Sequence, residues 1–171
     1  MSMSHKAFAF DWRRFESDEL YTLITRALEF NQVACLVAYI EKHLPELKDP
    51  YEGVPLDQTW QELLDNRDVH EYSDFALTRF YDPAADLGVA EEWIEIDRSL
   101  TEAERGVFLG FPIHAAKTAF DPGRMGSYFQ TPEQVSESLK IVNQLAIKSV
   151  ASFKRLLESC SQHRLGIYVT F

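Results

Sequence analysis

Residues 131–171 read TPEQVSESLKIVNQLAIKSVASFKRLLESCSQHRLGIYVTF, and this stretch decides the fold class. Thr131 stands where a helix cap belongs, Pro132 suits the first helical position, and Gln134 sits three residues after the threonine, which together make a capping box. Val135, Leu139, Val142, Leu145, Ala146, Val150, Phe153, Leu156 and Leu157 then carry an apolar stripe onward for about eight turns. No Gly or Pro interrupts Glu133 to Arg164, so the spacing predicts one long helix, or two broken near Asn143. Gly166 ends it. From Leu165 to Phe171 the residues alternate, Ile167, Val169 and Phe171 against Tyr168 and Thr170, as in a strand.

A terminal strand needs a partner, and Ala7–Phe10 is the best one, a short apolar run near the other chain end. The fold class expected is therefore α+β, mainly α: a helical domain with a small antiparallel sheet pairing the N- and C-terminal strands. Between the ends the chain reads helical. Ser17 is placed to cap a helix with Leu20, Leu23, Ile24, Ala27 and Leu28 on one face, ending near Asn31. Val33, Leu36, Val37, Ile40 and Leu44 define a second, stopped near Pro45 and paired with the first as a hairpin. Asp57 would cap a third carrying Trp60, Leu63 and Leu64, and Val69, Tyr72, Phe75, Ala76 and Phe80 suggest a fourth. Residues 89–105 fit helix or strand and lean to helix, Val107–Ile113 fits a short strand or buried turn, and Phe120–Gln130 is a loop around the turn signal Asp121-Pro122-Gly123.

At 171 residues, with 46% hydrophobic and 13% aromatic content, the chain suits one globular domain over 1–171. A chain of this length buries roughly 70% of its unfolded surface and needs no disulfide or metal to hold it. Cys35 and Cys160 fall on apolar helical positions and make no framework. No run approaches a membrane span, and the first residues lack the apolar stretch of a secretory signal, so a soluble cytoplasmic protein is expected.

The charge is segregated. Residues 41–104 hold 18 Asp/Glu and 5 Lys/Arg, a net of −13, while the rest of the chain holds 9 acids and 12 bases, a net of +3. Such a field repels nucleic acid and anionic membrane and attracts basic partners. Asp57, Glu62, Asp65, Asp68, Glu71 and Asp74 are expected to form an exposed acidic face on two successive helices, with Trp60 or Tyr72 as an aromatic anchor beside it.

Motifs for chemistry are sparse. His70-Glu71 with Asp74 forms H-E-x-x-D, a distorted relative of a zinc-protease helix, but it lacks the second His and a third ligand, so both residues read as solvated helix positions and no metal is expected. The 121–130 loop has two glycines that let backbone approach a ligand and Arg124 to grip an anion, yet Gly123-Arg-Met-Gly126 matches neither a Walker nor a dinucleotide pattern, and a plain tight loop explains it too. His114 and Lys117 read as surface residues, and Ser127, Ser136 and Ser138 lack a nucleophile elbow. Glu91, Glu92, Glu95 and Asp97 do not follow calcium-loop spacing. Trp12, Trp60 and Trp93 have no basic patch around them that would mark base stacking. No cofactor is expected.

These features point to a non-catalytic acidic protein that binds a partner with a basic surface. At the level of class it resembles the small acidic immunity proteins with which bacteria occlude toxins, an analogy that no specific motif carries. Two alternatives stay open: an enzyme with a site around the 121–130 loop, and a regulatory subunit of a larger assembly. Self-association is compatible with all three.

Overall fold

The computed structural model describes residues 3–64 and 68–171. Strand β1 (Lys6–Phe10) is followed by α1 (Trp12–Ser17), α2 (Leu20–Phe30), α3 (Ala34–His43), α4 (Val69–Leu77), α5 (Trp93–Ser99) and α6 (Glu102–Leu109). A two-residue hairpin, β2 (His114–Ala115) and β3 (Thr118–Ala119), precedes β4 (Ser127–Gln130), α7 (Pro132–Val142), α8 (Ala151–His163) and β5 (Gly166–Thr170). The protein is α+β and mainly helical, as its periodicities predict.

The terminal strands pair as expected, antiparallel from Lys6↔Thr170 to Phe10↔Gly166. β5 is the central strand, since β4 pairs with its other edge from Ser127↔Thr170 to Gln130↔Ile167. β4 lies where the sequence reads as loop, because four residues are too few to show a clear alternation. Both outer edges are covered. Segment 86–90 lies along β1, with the Ala7 amide donating to Asp86 Oδ1 at 2.9 Å, the Leu87 amide to the Ala7 carbonyl, and His5 bridging Ala90. Phe111 bridges Phe129 on β4. Covered edges give no template for strand addition.

The two-residue period of the strands divides the core in two. Phe8, Phe10, Phe129 and Tyr168 point to one face and pack with α1–α4, while Ala7, Ile167 and Val169 point to the other and pack with α5–α8. The second core includes Val142, Val150 and Phe153 as buried residues, with Leu139 and Leu145 partly buried against them, close to the expected set. Phe153 stacks on Phe108 at 5.0 Å between ring centres. His5 is buried beside them. Its Nε2 lies 2.9 Å from the Phe108 carbonyl and its Nδ1 accepts from the Val89 amide, a pair of roles that only a neutral Nε2–H imidazole fills. Burial pushes its pKa down accordingly.

Local expectations fail where tertiary packing competes. Ser17 ends α1 rather than capping α2, and Asp18, one residue before the Glu19 cap position, accepts a 2.9 Å bond from the Leu20 amide. The expected third helix is only a 3₁₀ turn, Trp60–Leu63, after Asp57 has turned the chain by accepting from the Thr59 amide. Residues 93–99 are helical, and a Thr101–Glu104 capping box starts α6, which runs through Val107–Leu109, where a strand or turn is expected. Gly110 ends it with φ 102, and a Cβ there would meet the Phe129 carbonyl oxygen at 2.2 Å. The apolar stripe of 135–157 is two helices, α7 breaking at Asn143. A single helix over 133–164 would be about 48 Å long, more than the roughly 40 Å breadth of a domain this size, so its last turn or more would overhang the core. Folding back lets α7 and α8 pack on each other and on the sheet.

Candidate functional site: an acid-lined cleft at Tyr51

The two regions singled out in sequence, the acidic helices and the 121–130 loop, meet at one cleft. Asp49 opens a tight turn by accepting from the amides of Tyr51 (2.7 Å) and Glu52 (3.2 Å). The turn is braced by the Lys48↔Pro55 bridge and projects Tyr51 outward, 62% exposed. Across from it, Asp68 caps α4 through the His70 amide and meets Arg124 Nη2 at 3.8 Å. His70 Nδ1 accepts from the Asp121 amide at 3.1 Å, and Asp121 Oδ1 accepts from Gly126 at 3.0 Å. These bonds seat the loop on the start of α4. Gly123 brings it against the end of the sheet, where a Cβ would lie 2.3 Å from the Phe171 carbonyl oxygen.

Lys6, Phe8, Pro50, Tyr51, Asp74, Tyr81 and the 122–123 backbone line the resulting narrow cleft, of about 50 Å³. At its base Asp74 is only 5% exposed. Tyr81 and Tyr168 both donate to its Oδ1, at 3.3 and 3.2 Å. Burial pushes the Asp74 carboxyl up to about 7, against the pull of the two hydroxyls and of Lys6. Burial, followed by the charges of Asp74, Glu71, Asp49 and Asp68, pushes the Tyr51 hydroxyl up to about 12. Four carboxylates therefore surround one aromatic ring.

The sequence-derived candidates divide as follows. Asp57 and Glu62 are exposed, and Asp68 and Glu71 are half-buried at the cleft. Arg124 is exposed on the facing loop. Asp65 lies outside the described residues. Asp74 does not join an exposed face. α4 packs against α2 and α3 while the tyrosines close on it from the sheet side, so it is buried nearly all round and has no solvated side at position 74. Trp60 and Tyr72 are not exposed anchors either: both are core residues, edge to face with each other at 5.6 Å. His70 and Asp74 share a helix but serve separate partners, and among the described residues no group of three or more His, Cys, Asp or Glu is arranged to hold a metal ion. Sequence reasoning passed over Tyr51 and Asp49. Their only signal is a proline-flanked aromatic in an acidic loop.

Beside the cleft, residues 51–63 expose Tyr51, Val54 (53%) and Leu63 (57%) among the acids Glu52, Asp57 and Glu62. Glu62 also borders a shallow groove with Glu41, Leu44, Gln58, Thr59 and Gln61. Among the described residues, no hydrogen bond or ion pair within the chain occupies the carboxylates of Glu41, Glu52 or Glu62, whereas Glu46, Asp82 and Asp97 are paired with Arg14 and Arg79, Lys48, and Arg105. Of the other acids of the charge-rich segment, Glu91 and Glu92 directly precede α5, Glu95 lies on it, and Glu102 and Glu104 lie on α6, all on the side of the second core. A cavity between α6 and α7 has its central amide committed, Gln130 donating to the Val107 carbonyl and accepting from Ser138. Among the described residues, no helix is long and apolar enough to cross a membrane. Compared with protein-family models, with curated proteins and with solved structures, the chain matches none.

Proposed function

We propose that this protein acts by binding a basic protein partner through the surface of residues 51–63, in the manner of an immunity-type protein that occludes a toxin or enzyme. The observation that supports this reading is the mixture at that surface. Three large apolar side chains stand exposed within thirteen residues, interleaved with Glu52 and Glu62, whose carboxylates have no hydrogen-bond or ion-pair partner among the described residues. Exposed apolar groups supply the buried centre of an interface, and surrounding charge selects the partner and speeds encounter. Glu41, Glu52 and Glu62, without a partner among the described residues, are placed to attract an incoming positive surface. Affinity capture from the native host, followed by association kinetics with the captured protein, tests this. Replacing Glu41, Glu52 and Glu62 by Lys should slow association by tenfold or more at low salt, by roughly the scale of electrostatic steering, and the gap should narrow as salt screens the field. Equal association rates, with the fold intact, would overturn the reading.

A further inference from the structure

The cleft at Tyr51 holds one group whose bonding is incomplete. Both tyrosine hydroxyls fall on Oδ1 of Asp74, and among the described residues Oδ2 accepts nothing. No fully buried side-chain nitrogen or oxygen in the described structure lacks a partner, so Oδ2 opens onto the cleft that Asp74 lines. We infer that this cleft receives the ammonium head of a lysine side chain, held between the rings of Tyr51, Tyr81 and Phe8 and facing Asp74 Oδ2. The inference rests on the reading of a basic protein partner and names the residue that partner inserts.

Charge and donor geometry select this occupant. Asp49, Asp68, Glu71 and Asp74 surround Tyr51, so an anion is repelled, and an apolar group would leave Oδ2 bare. A single free oxygen at the base of the cleft suits one compact head that approaches as a point charge. Arginine also gains its advantage from bidentate pairing, and here one of the two oxygens is already taken by two hydroxyls. A divalent cation needs more ligands than are arranged here. Aromatic faces around a carboxylate are what an ammonium ion prefers. Lys6, exposed at the rim, acts on Asp74 through its charge but makes no ion pair with it, so the contact position at Oδ2 stays open.

Binding a cation favours the ionised form of Asp74. The groups facing it are Lys6 on β1, Asp49 and Tyr51 in the turn, Tyr81 beyond α4 and Tyr168 on β5, and the three tyrosines are pushed up, away from neutral pH. With Asp74 at about 7, the competent fraction rises about tenfold between pH 6 and pH 8.

The test is an NMR titration of the whole protein with n-butylammonium, with neutral n-butanol and with choline, at both pH values. Butylammonium should give saturable shifts at Tyr51, Asp74 and Tyr81, about tenfold tighter at pH 8 than at pH 6. Butanol should give none, and choline weaker ones. Asp74→Asn should abolish the pH dependence. Tyr51→Ala, at an exposed position that the fold does not need, should weaken binding by about three- to fivefold. Absence of saturable shifts, equal binding of butanol, choline binding more tightly than butylammonium, or unchanged binding in Tyr51→Ala would each overturn the assignment. If butylammonium fails to bind while reversal of Glu41, Glu52 and Glu62 still slows association with the captured partner, the cleft assignment falls and the interface reading stands. If the small amine binds and the reversal has no effect, the reverse holds.

Discussion

Replacing Asp74 with Asn should change the pH dependence of stability in one direction. The asparagine carbonyl keeps the acceptor that Tyr81 and Tyr168 use, and its volume matches, so the folded geometry survives. What disappears is ionisation. In the folded protein burial raises the Asp74 carboxyl to about 7, against about 3.9 in an unfolded chain. A carboxyl raised on folding binds its proton more tightly in the native state. Its stabilising contribution is therefore complete below about pH 4 and is lost as pH rises through about 7. Three units correspond to about 4 kcal/mol over the whole range, and integrating between pH 5 and pH 8 leaves about 2.5 kcal/mol. His5 acts with the opposite sign. Burial lowers it, so its contribution is present above about pH 6.5 and fades as pH falls, and the wild-type profile alone mixes the two. Urea unfolding followed by the fluorescence of the buried Trp12, Trp60 and Trp93 gives the free energy of each protein at both pH values. The variant should match wild type within about 1 kcal/mol at pH 5 and exceed it by about 2.5 kcal/mol at pH 8, a midpoint shift of roughly 1 M urea. A difference that does not change with pH, or wild type gaining on the variant as pH rises, would show that Asp74 is ionised in the fold throughout and would refute the argument.

Two further outcomes follow from the packing. Phe153→Ala removes a fully buried ring stacked on Phe108 in the second core and should lower stability by about 3–5 kcal/mol in the same assay; a variant melting like wild type would contradict the described packing. Arg79 is 12% exposed at its side chain and joins Asp18 (2.7 Å), the Tyr39 hydroxyl (2.9 Å) and Glu46 (3.0 Å), so Arg79→Ala removes three hydrogen bonds of a charged group at once and should cost about 2–3 kcal/mol. The same change should raise the Glu46 titration midpoint, read by carbon NMR, from about 2 toward the ordinary carboxylate range, because the Arg79 hydrogen bond is the first cause of its depression. A carboxylate lowered on folding supports stability above about pH 4.3 and loses that support as pH falls toward 2, so the variant should also show a flatter acid limb.

What the sequence by itself determined is local. The Thr131-Pro132-Gln134 cap and the alternation of Ile167 and Val169 depend on neighbours within one or two turns and are found where the pattern places them, while the stripe from Val135 to Leu157 is found on two helices that break after Val142. The pairing of the two end strands was legible because an apolar terminal strand needs a partner and few candidates existed. What only the tertiary structure decided is which of the acidic residues meet water. Asp74 reads as the polar side of an amphipathic helix, a rule that assumes one solvated face. α4 has almost none, because α2 and α3 cover it and the hydroxyl of Tyr168, 94 positions away in the chain, closes on its carboxylate. Tyr51 and Asp49 gain their importance the same way, from a turn that sets them opposite α4 and the 121–126 loop. Periodicity reports which residues share a face of one element. Burial and electrostatic environment depend on how many elements crowd that face, and those contacts come from residues distant in sequence.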